Sequence, residues 1–201
     1  MSDEKLATEI RKEQIVEAAL VLVASQGLDR LSMAAVARRV GLVPSGIYRH
    51  FRGKDEILAA MLDLIERRLE ENVRAATEES ADPLGRLRDV LVRHVRFIRE
   101  GRAIPRIVFA DESFVGHPQR KTRVEQILQG YLGKVGEIVR SGQAQGQIRP
   151  ELDPDTVAMM VLGIVMPAAI RWHLSEGGFD VTRHADRAWQ MLLRAIATDE
   201  R

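Results

Sequence analysis

Between Leu31 and Lys54 the chain reads LSMAAVARRVGLVPSGIYRHFRGK. Tyr48, Arg49 and His50 stand consecutively in it, with Ser45 before them and Lys54 after. These side chains are too polar and too clustered to fill a core. They offer hydrogen-bond donors and positive charge, the chemistry that meets phosphate oxygens and base edges. Their spacing puts them on the second of two short helices. In a helix-turn-helix that second helix enters a groove of DNA while the first braces it across the backbone.

Local rules supply the elements that must hold those residues. Ser32 precedes Met33, Ala34, Ala35, Val36 and Ala37, a run of good helix formers, and its hydroxyl can accept from a free N–H of the first turn. The Glu or Gln of a capping box is absent, since Ala35 stands at that position, so Ser32 is a plain cap. The helix is expected to end near Val40, with Val36, Ala37 and Val40 buried and Arg38 and Arg39 outward. Gly41 supplies the positive φ that closes a helix C-terminus, and Pro44 suits the first turn of the next helix. Ile47 and Phe51, four apart, share a face and pin the second helix to the first. Ser45, Gly46, Tyr48 and Arg49 are left facing out, and Gly46 lets the backbone approach a duplex closely. A plain helical hairpin with a solvated basic face is the competing reading. Against it stands the agreement of cap, turn glycine, helix-start proline and aromatic pair, followed by Lys54-Asp55-Glu56 opening a further helix.

The stretch from Arg11 to Leu58 resembles the DNA-binding domain of the tetracycline-repressor (TetR/AcrR) family. The match runs through IVEAALVLVASQG, the turn just described, and IYRHFRGKDEIL, about a quarter of the chain. Two positions depart from the family pattern. Val23 stands where Phe is usual, a conservative core change, and Val43 stands where a Ser or Thr often caps the recognition helix. A valine cannot cap, a loss of about 1 kcal/mol unless Ser45 or a phosphate oxygen meets those N–H groups.

The resemblance implies an all-α fold of about nine helices. Residues 1–54 would form a three-helix helix-turn-helix domain, and residues 55–201 a larger helical domain for effector binding and dimerisation. It implies a DNA-binding transcriptional regulator without a cofactor, most simply a homodimeric repressor released from a palindromic operator by a small, mostly apolar molecule. Its partners would be double-stranded DNA, that effector and a second copy of the chain, with no membrane. Carried over position by position, Ser32, Ser45, Tyr48, His50 and Lys54 would contact phosphates and Arg49 would read bases, with Pro44 and Gly46 completing the surface. Tyr48 has an alternative in stacking on the first helix, and His50 in capping the end of its own. Two recognition helices would lie about 34 Å apart in successive major grooves, and an effector that tilts the connecting helix would change that separation. An activator or dual regulator of the same fold is the main alternative. A non-specific architectural DNA protein is another, and the single modest basic patch argues against it.

Composition agrees with a small intracellular regulator. The chain has 201 residues, 45% apolar and 29% charged, with ample material for a core. It contains no cysteine, so thiolate metal sites and disulfides are excluded. The start, MSDEKLATEIRKEQ, has no apolar stretch of the kind a signal peptide needs, and a cytoplasmic location is expected. The longest apolar run, from Val157 to Ile170, is shorter than the roughly 20 residues a bilayer span requires. Net charge is +1, but residues 1–54 carry nine Lys/Arg against six Asp/Glu, so the basic excess falls on the helix-turn-helix.

Beyond it the periodicity predicts only helices. They are a first helix from about Leu6 to Gln26, a long connector from Lys54 to Glu79, and one from Leu84 to Gly101. A short one over Ala103 to Phe114 follows, then one from Pro118 carrying Tyr131, a loop GQAQGQIRPELDP, one capped by Asp153 and ending near Ser175, and a last one through Ile196. The segment VAMMVLGIVMPAAI is apolar nearly all round and must be covered on more than one side. A partner subunit would supply that cover, through Val161, Ile164, Ala168, Trp189, Leu192 and Ile196, in a four-helix bundle across a two-fold axis. A central core helix in a monomer is the competing reading.

The polar residues set among apolar ones are His94, Arg106, Asp111, Glu112, Tyr131, Trp172 and His173. Candidates for an effector pocket are Met61, Ile65, His94, Phe97, Phe109, Tyr131, Met159, Met166 and Trp172. A lone histidine among hydrophobics is more often a satisfied core residue, and the methionines are equally suited to plain packing. No metal-ligand spacing, nucleophile set, Gly-rich phosphate loop or carboxylate pair stands where an element would present it, so an enzyme is not expected.

Overall fold

A computed structural model describes residues 3–100 and 118–198. The helix expected over Ala103–Phe114, and with it Arg106, Phe109, Asp111 and Glu112, lies outside the described residues. Eight helices are described: α1 (Asp3–Gln26), α2 (Met33–Arg39), α3 (Pro44–Ile47), α4 (Lys54–Glu79), α5 (Pro83–Glu100), α6 (Pro118–Ala144), α7 (Pro154–Leu174) and α8 (Val181–Ile196). No strand occurs among the described residues; one isolated antiparallel bridge joins Ile148 to Ala197.

The chain divides into two compact units. One takes the residues up to Arg67 with the start of α6 through Val124, and the other takes Arg68–Glu100 and Glu125 onward. The division falls inside α4 and not at residues 54/55. An uninterrupted helix carries no loop or composition change to mark a boundary, and α4 runs unbroken from Lys54 to Glu79.

In the first unit α1 packs on α2 and α2 on α3. Ile15, Ala19, Val23, Val36, Ala37, Ile47 and Phe51 are buried there, together with Ile57, Leu58, Met61 and Ile65 from α4. Val40, expected inside, is half-buried. In the second unit α7 and α8 pack on each other and both pack on α5. Leu87, Val90, Leu91, Val135, Val161, Val165, Ala168, Trp189 and Ile196 share its core.

The end of α6 is later than the sequence pattern suggests. The helix continues to Ala144, and the loop beyond it is not all surface, because Ile148 is fully buried. A Cβ on Gly142 would come within 2.6 Å of the Ile148 side chain, so only glycine lets that isoleucine reach the core. Asp153 caps α7, its carboxylate accepting from the Thr156 N–H at 2.8 Å, and Pro154 follows at the first turn. The Thr156 hydroxyl and N–H together hold that carboxyl below the usual range.

The apolar run noted in the sequence lies within the longer helix α7. Counted as a helix and not as an unbroken apolar run, it is long and apolar enough to cross a membrane, with 39% of its most apolar window buried. Its inner residues Val157, Val161, Val165 and Ala168 belong to the core of the second unit, the ordinary place for such a helix.

Candidate nucleic-acid interface

The turn between α2 and α3 is built from short-range hydrogen bonds. The Ser32 hydroxyl accepts from the Ala35 N–H at 3.2 Å, so the expected cap is made. At the other end of α2, Gly41 adopts φ +70°. Its N–H donates to the Arg38 carbonyl and the Leu42 N–H to the Ala37 carbonyl, at 3.3 and 2.9 Å. That crossed pair is the Schellman closure, and a side chain at position 41 would strain it.

The recognition element is shorter than expected. Regular helix covers only Pro44–Ile47, Tyr48 is its C-cap, and Val43 makes no capping bond. Arg49 and His50 continue it as a tight turn, their N–H groups donating to the Gly46 and Ile47 carbonyls. Gly46 in the middle and an uncapped start explain the shortness, since both weaken a helix that has few bonds to spare. The fixing contacts are as expected: Ile47 is fully buried and Phe51 nearly so.

Those two anchors leave the polar side chains outside. Pro44, Ser45 and Arg49 are exposed, Gly46 and His50 are half-buried, and Tyr48 is 57% exposed, which does not suit a ring packed as a core element. Lys54, at the start of α4, donates from Nζ to the Leu28 carbonyl at 3.1 Å. An ammonium has three donors, so two remain for a phosphate. The Nδ1 atom of His50 is buried without a hydrogen-bond partner among the described residues.

Arg38, Arg39 and Arg52 complete this surface and were not among the contacts expected from sequence. All three are exposed, and no described residue pairs with their guanidiniums or with that of Arg49. The signal was present, as an excess of Lys/Arg in this stretch, but it does not single out positions. Two other arginines of the same unit are neutralised. Arg120 pairs with Asp55 at 2.5 Å, and Arg123 with Asp63 at 2.8 Å and with Glu66. Those pairs flank a groove of about 420 Å³ floored by Ala59 and Leu62. Three carboxylates against two arginines do not make it a second anion site.

In the second unit the expected effector residues divide. His94 is 6% exposed and Tyr131 is buried beside it, with Nδ1 and the hydroxyl 2.8 Å apart. The two rings meet edge to face at 5.2 Å, and Phe97 meets His94 at 6.3 Å. Burial lowers the imidazole to a pKa of about 4 and raises the phenol above its ordinary value, so both are neutral at pH 7. Met166 and Trp172 are half-buried against the core of this unit, whereas Met159 faces solvent, so the structure does not bring Met159 to this pair. Met61 and Ile65 are core residues of the first unit.

The expected dimer contacts need correction. Val161, Ala168, Trp189, Leu192 and Ile196 are buried within the chain's own core, and Ile164 packs against it. The outward face of α7 and α8 instead carries Met159, Met160, Ile170, Leu174 and Met191. Because α7 is apolar all round, periodicity could not say which stripe faced inward.

Comparison with known proteins adds two findings. Residues 15–61 match the model of bacterial regulatory proteins of the tetR family, and residues 80–196 match a tetracyclin repressor-like C-terminal domain. The chain belongs to the tetR family. Among its relatives is the nucleoid occlusion factor SlmA of Photobacterium profundum, 24% identical over 183 residues, covering 90% of this chain and 93% of that protein. Among solved structures, the fatty acid degradation regulator FadR from Bacillus halodurans superposes with a TM-score of 0.78 at 20% identity, over 91% of this chain and 94% of that one. AibR, solved in complex with isovaleryl coenzyme A and operator DNA, gives a TM-score of 0.72 at 24% identity, over 91% and 98%.

For a tetR-family chain, the exposed surface from Pro44 to Arg52 is the part whose chemistry suits DNA. Its groups are donors and cations, held on a turn fixed from beneath by Ile47 and Phe51.

Proposed function

We propose that this tetR-family regulator is a homodimeric repressor that binds a palindromic operator and is released from it by a small, mostly apolar molecule. The observation that carries the reading is the set of exposed guanidiniums of Arg38, Arg39, Arg49 and Arg52 around the turn, unpaired by any described residue. Phosphates would neutralise them, and Arg49 would reach base edges from the recognition turn. Ser32, Ser45, Tyr48, His50 and Lys54 would hold the register through the backbone.

One short turn reads too few base pairs to be selective, so a second copy is needed. The outward face of α7 and α8, with Leu174 and Met191 about three-quarters exposed at 76% and 74%, supports a partner of the same kind. The protein would act in the cytoplasm and catalyse nothing. AibR, solved with isovaleryl coenzyme A and operator DNA, supports control by a small molecule, of which the acyl group is the apolar part.

Fluorescence anisotropy with the DNA upstream of the gene, against a random duplex of equal length, tests the reading. The specific fragment should bind tighter by at least about a thousand-fold, with two chains per site. Equal affinity for both duplexes, or a monomer on DNA, would overturn it. The similarity to SlmA supports a second reading, a role in nucleoid occlusion, which predicts bound sites far from promoters when binding is mapped across the chromosome.

A further inference from the structure

Among the described residues of the first unit, the most exposed large aliphatic side chain is Val43, at 67% against 49% for Ile10 and 43% for Val21. Those two lie on α1, whereas Val43 opens the recognition turn, next to the exposed Pro44. Single exposed apolar residues are ordinary on a protein surface, and exposure alone carries no meaning. What sets Val43 apart is that the fold gains nothing from it. It makes no capping bond at a position where Ser or Thr would make one, and it is not buried. Its placement is nevertheless firm. The backbone is extended, and its carbonyl accepts from the Gly46 N–H at 2.8 Å. The β-branched side chain has little freedom at χ1. A Cβ on Gly46 would stand 3.5 Å from Val43 Cγ2, in ordinary contact, so the glycine leaves that flank of the methyl uncovered. Two rigid methyl groups thus stand in solvent on a surface whose other groups are mostly donors and cations, Arg38, Arg39, Arg49 and Arg52 among them.

Phosphates offer such a group no partner, and neither do the donors and acceptors of base edges. The major-groove edge of thymine does, through its C5 methyl. Residues at the N-terminal end of a recognition helix are also the ones that reach base edges. We propose that Val43 is a specificity-determining residue of the operator complex, its methyl groups packing on the C5 methyl of one thymine in each half-site. This rests on the reading that the turn enters the major groove of a specific operator, and it adds a base that is selected and the contact that selects it. Arg49 would read by hydrogen bonds, and Val43 by apolar contact alone. Removing one methyl-sized apolar group from water favours the complex roughly four-fold.

Deoxyuridine in place of thymine removes that methyl and keeps every hydrogen-bonding group. An operator is selected from random duplexes with the full chain, and each of its thymines is then replaced in turn. Anisotropy gives the affinities of the wild type and of Val43→Ala. For the wild type, replacing one particular thymine should weaken binding roughly four-fold, and replacing it in both half-sites roughly fifteen-fold. For Val43→Ala the ratio between the thymine and deoxyuridine duplexes should fall to about one. The four affinities close a cycle, so a general weakening of the variant cancels and only the pairwise contact remains. Alanine caps no better than valine and the site is exposed, so the fold is not at stake. An operator in which no thymine is sensitive would overturn the proposal. So would a sensitive thymine that stays equally sensitive in Val43→Ala, since another side chain would then read it. Equal weakening of operator and random duplexes by Val43→Ala would make the contact one to the sugar-phosphate backbone, and would overturn it too. In each of those cases the selected operator leaves the repressor reading standing, whereas a selection that returns no preferred sequence removes that reading and the proposal with it.

Discussion

In the first unit the guanidiniums of Arg38, Arg39 and Arg49 stand in solvent with no described partner, whereas in the second the imidazole of His94 is enclosed and bonded to a single hydroxyl. The contrast follows from what each region must meet. A DNA surface brings its own negative charge and water, so cations can wait exposed and gain their partners on binding. A helical core brings neither, so whatever polar group it holds must be uncharged and paired. The same division runs along α7, whose inner stripe of Val161, Val165 and Ala168 is sealed while Met159 and Leu174 face out.

The largest effect should come from placing one charge on the two sides of α7. Val161→Glu puts an unpartnered carboxylate into the core of the second unit and should destabilise the fold by about 3–5 kcal/mol, read from urea unfolding. Met159→Glu puts the same group on the outward face, 52% exposed, and should leave the unfolding midpoint of the isolated chain nearly unchanged while weakening self-association in ultracentrifugation. Equal destabilisation by both would erase the distinction between the two faces.

His94 gives the next test. Its folded pKa of about 4 lies below the ordinary 6.5 because burial disfavours the charged ring. Above pH 6.5 both folded and unfolded chains hold it neutral, and its full contribution is present. Between pH 6.5 and 4 the unfolded chain takes up a proton that the folded one refuses, so stability falls with pH, by roughly 3 kcal/mol over the window. His94→Gln should flatten that part of the stability profile while other groups titrate as before. An unchanged slope would mean that the imidazole is not held neutral by the core.

On the DNA side the effects are smaller and appear in binding. Arg49→Ala should lower operator affinity by about 1–3 kcal/mol and relax the preference at one base position. Lys54→Ala should weaken specific and random duplexes alike and reduce the salt dependence by about one phosphate contact. Equal loss on both kinds of DNA for Arg49→Ala would make that arginine a backbone contact and nothing more.

Local chemistry made the helix-turn-helix legible in the sequence. Ser32, Gly41, Pro44 and the pair Ile47–Phe51 each act within a few residues, and the structure uses each of the first two in the hydrogen bond expected of it. The limits of α4 and the cap at Asp153 follow from the same kind of signal. What was not legible is set by long-range packing. The inward stripe of α7 has no polar counter-stripe to reveal it, the division of the chain lies inside an unbroken helix, and Ile148 is buried because Gly142 lets it in. The His94–Tyr131 bond joins residues 37 apart in sequence, and no spacing rule brings such a pair together.

Val43 offers the mildest test, and it bears on how the exposed surface is held. The residue starts α3 without a side-chain bond, and its own side chain is 67% exposed, so nothing in the packing requires a valine there. Its backbone is already extended, at φ −66° and ψ 148°, which is the conformation a capping residue takes. Val43→Ser therefore needs no rearrangement to supply the missing acceptor, and should stabilise the first unit by about 0.5–1 kcal/mol in thermal unfolding. If a phosphate oxygen serves as the cap in the operator complex, the serine competes with it, and affinity should stay level or fall slightly despite the more stable helix. A clear rise in affinity instead would mean that ordering of the short turn limits binding, and that the cationic surface is less pre-arranged than its free form suggests.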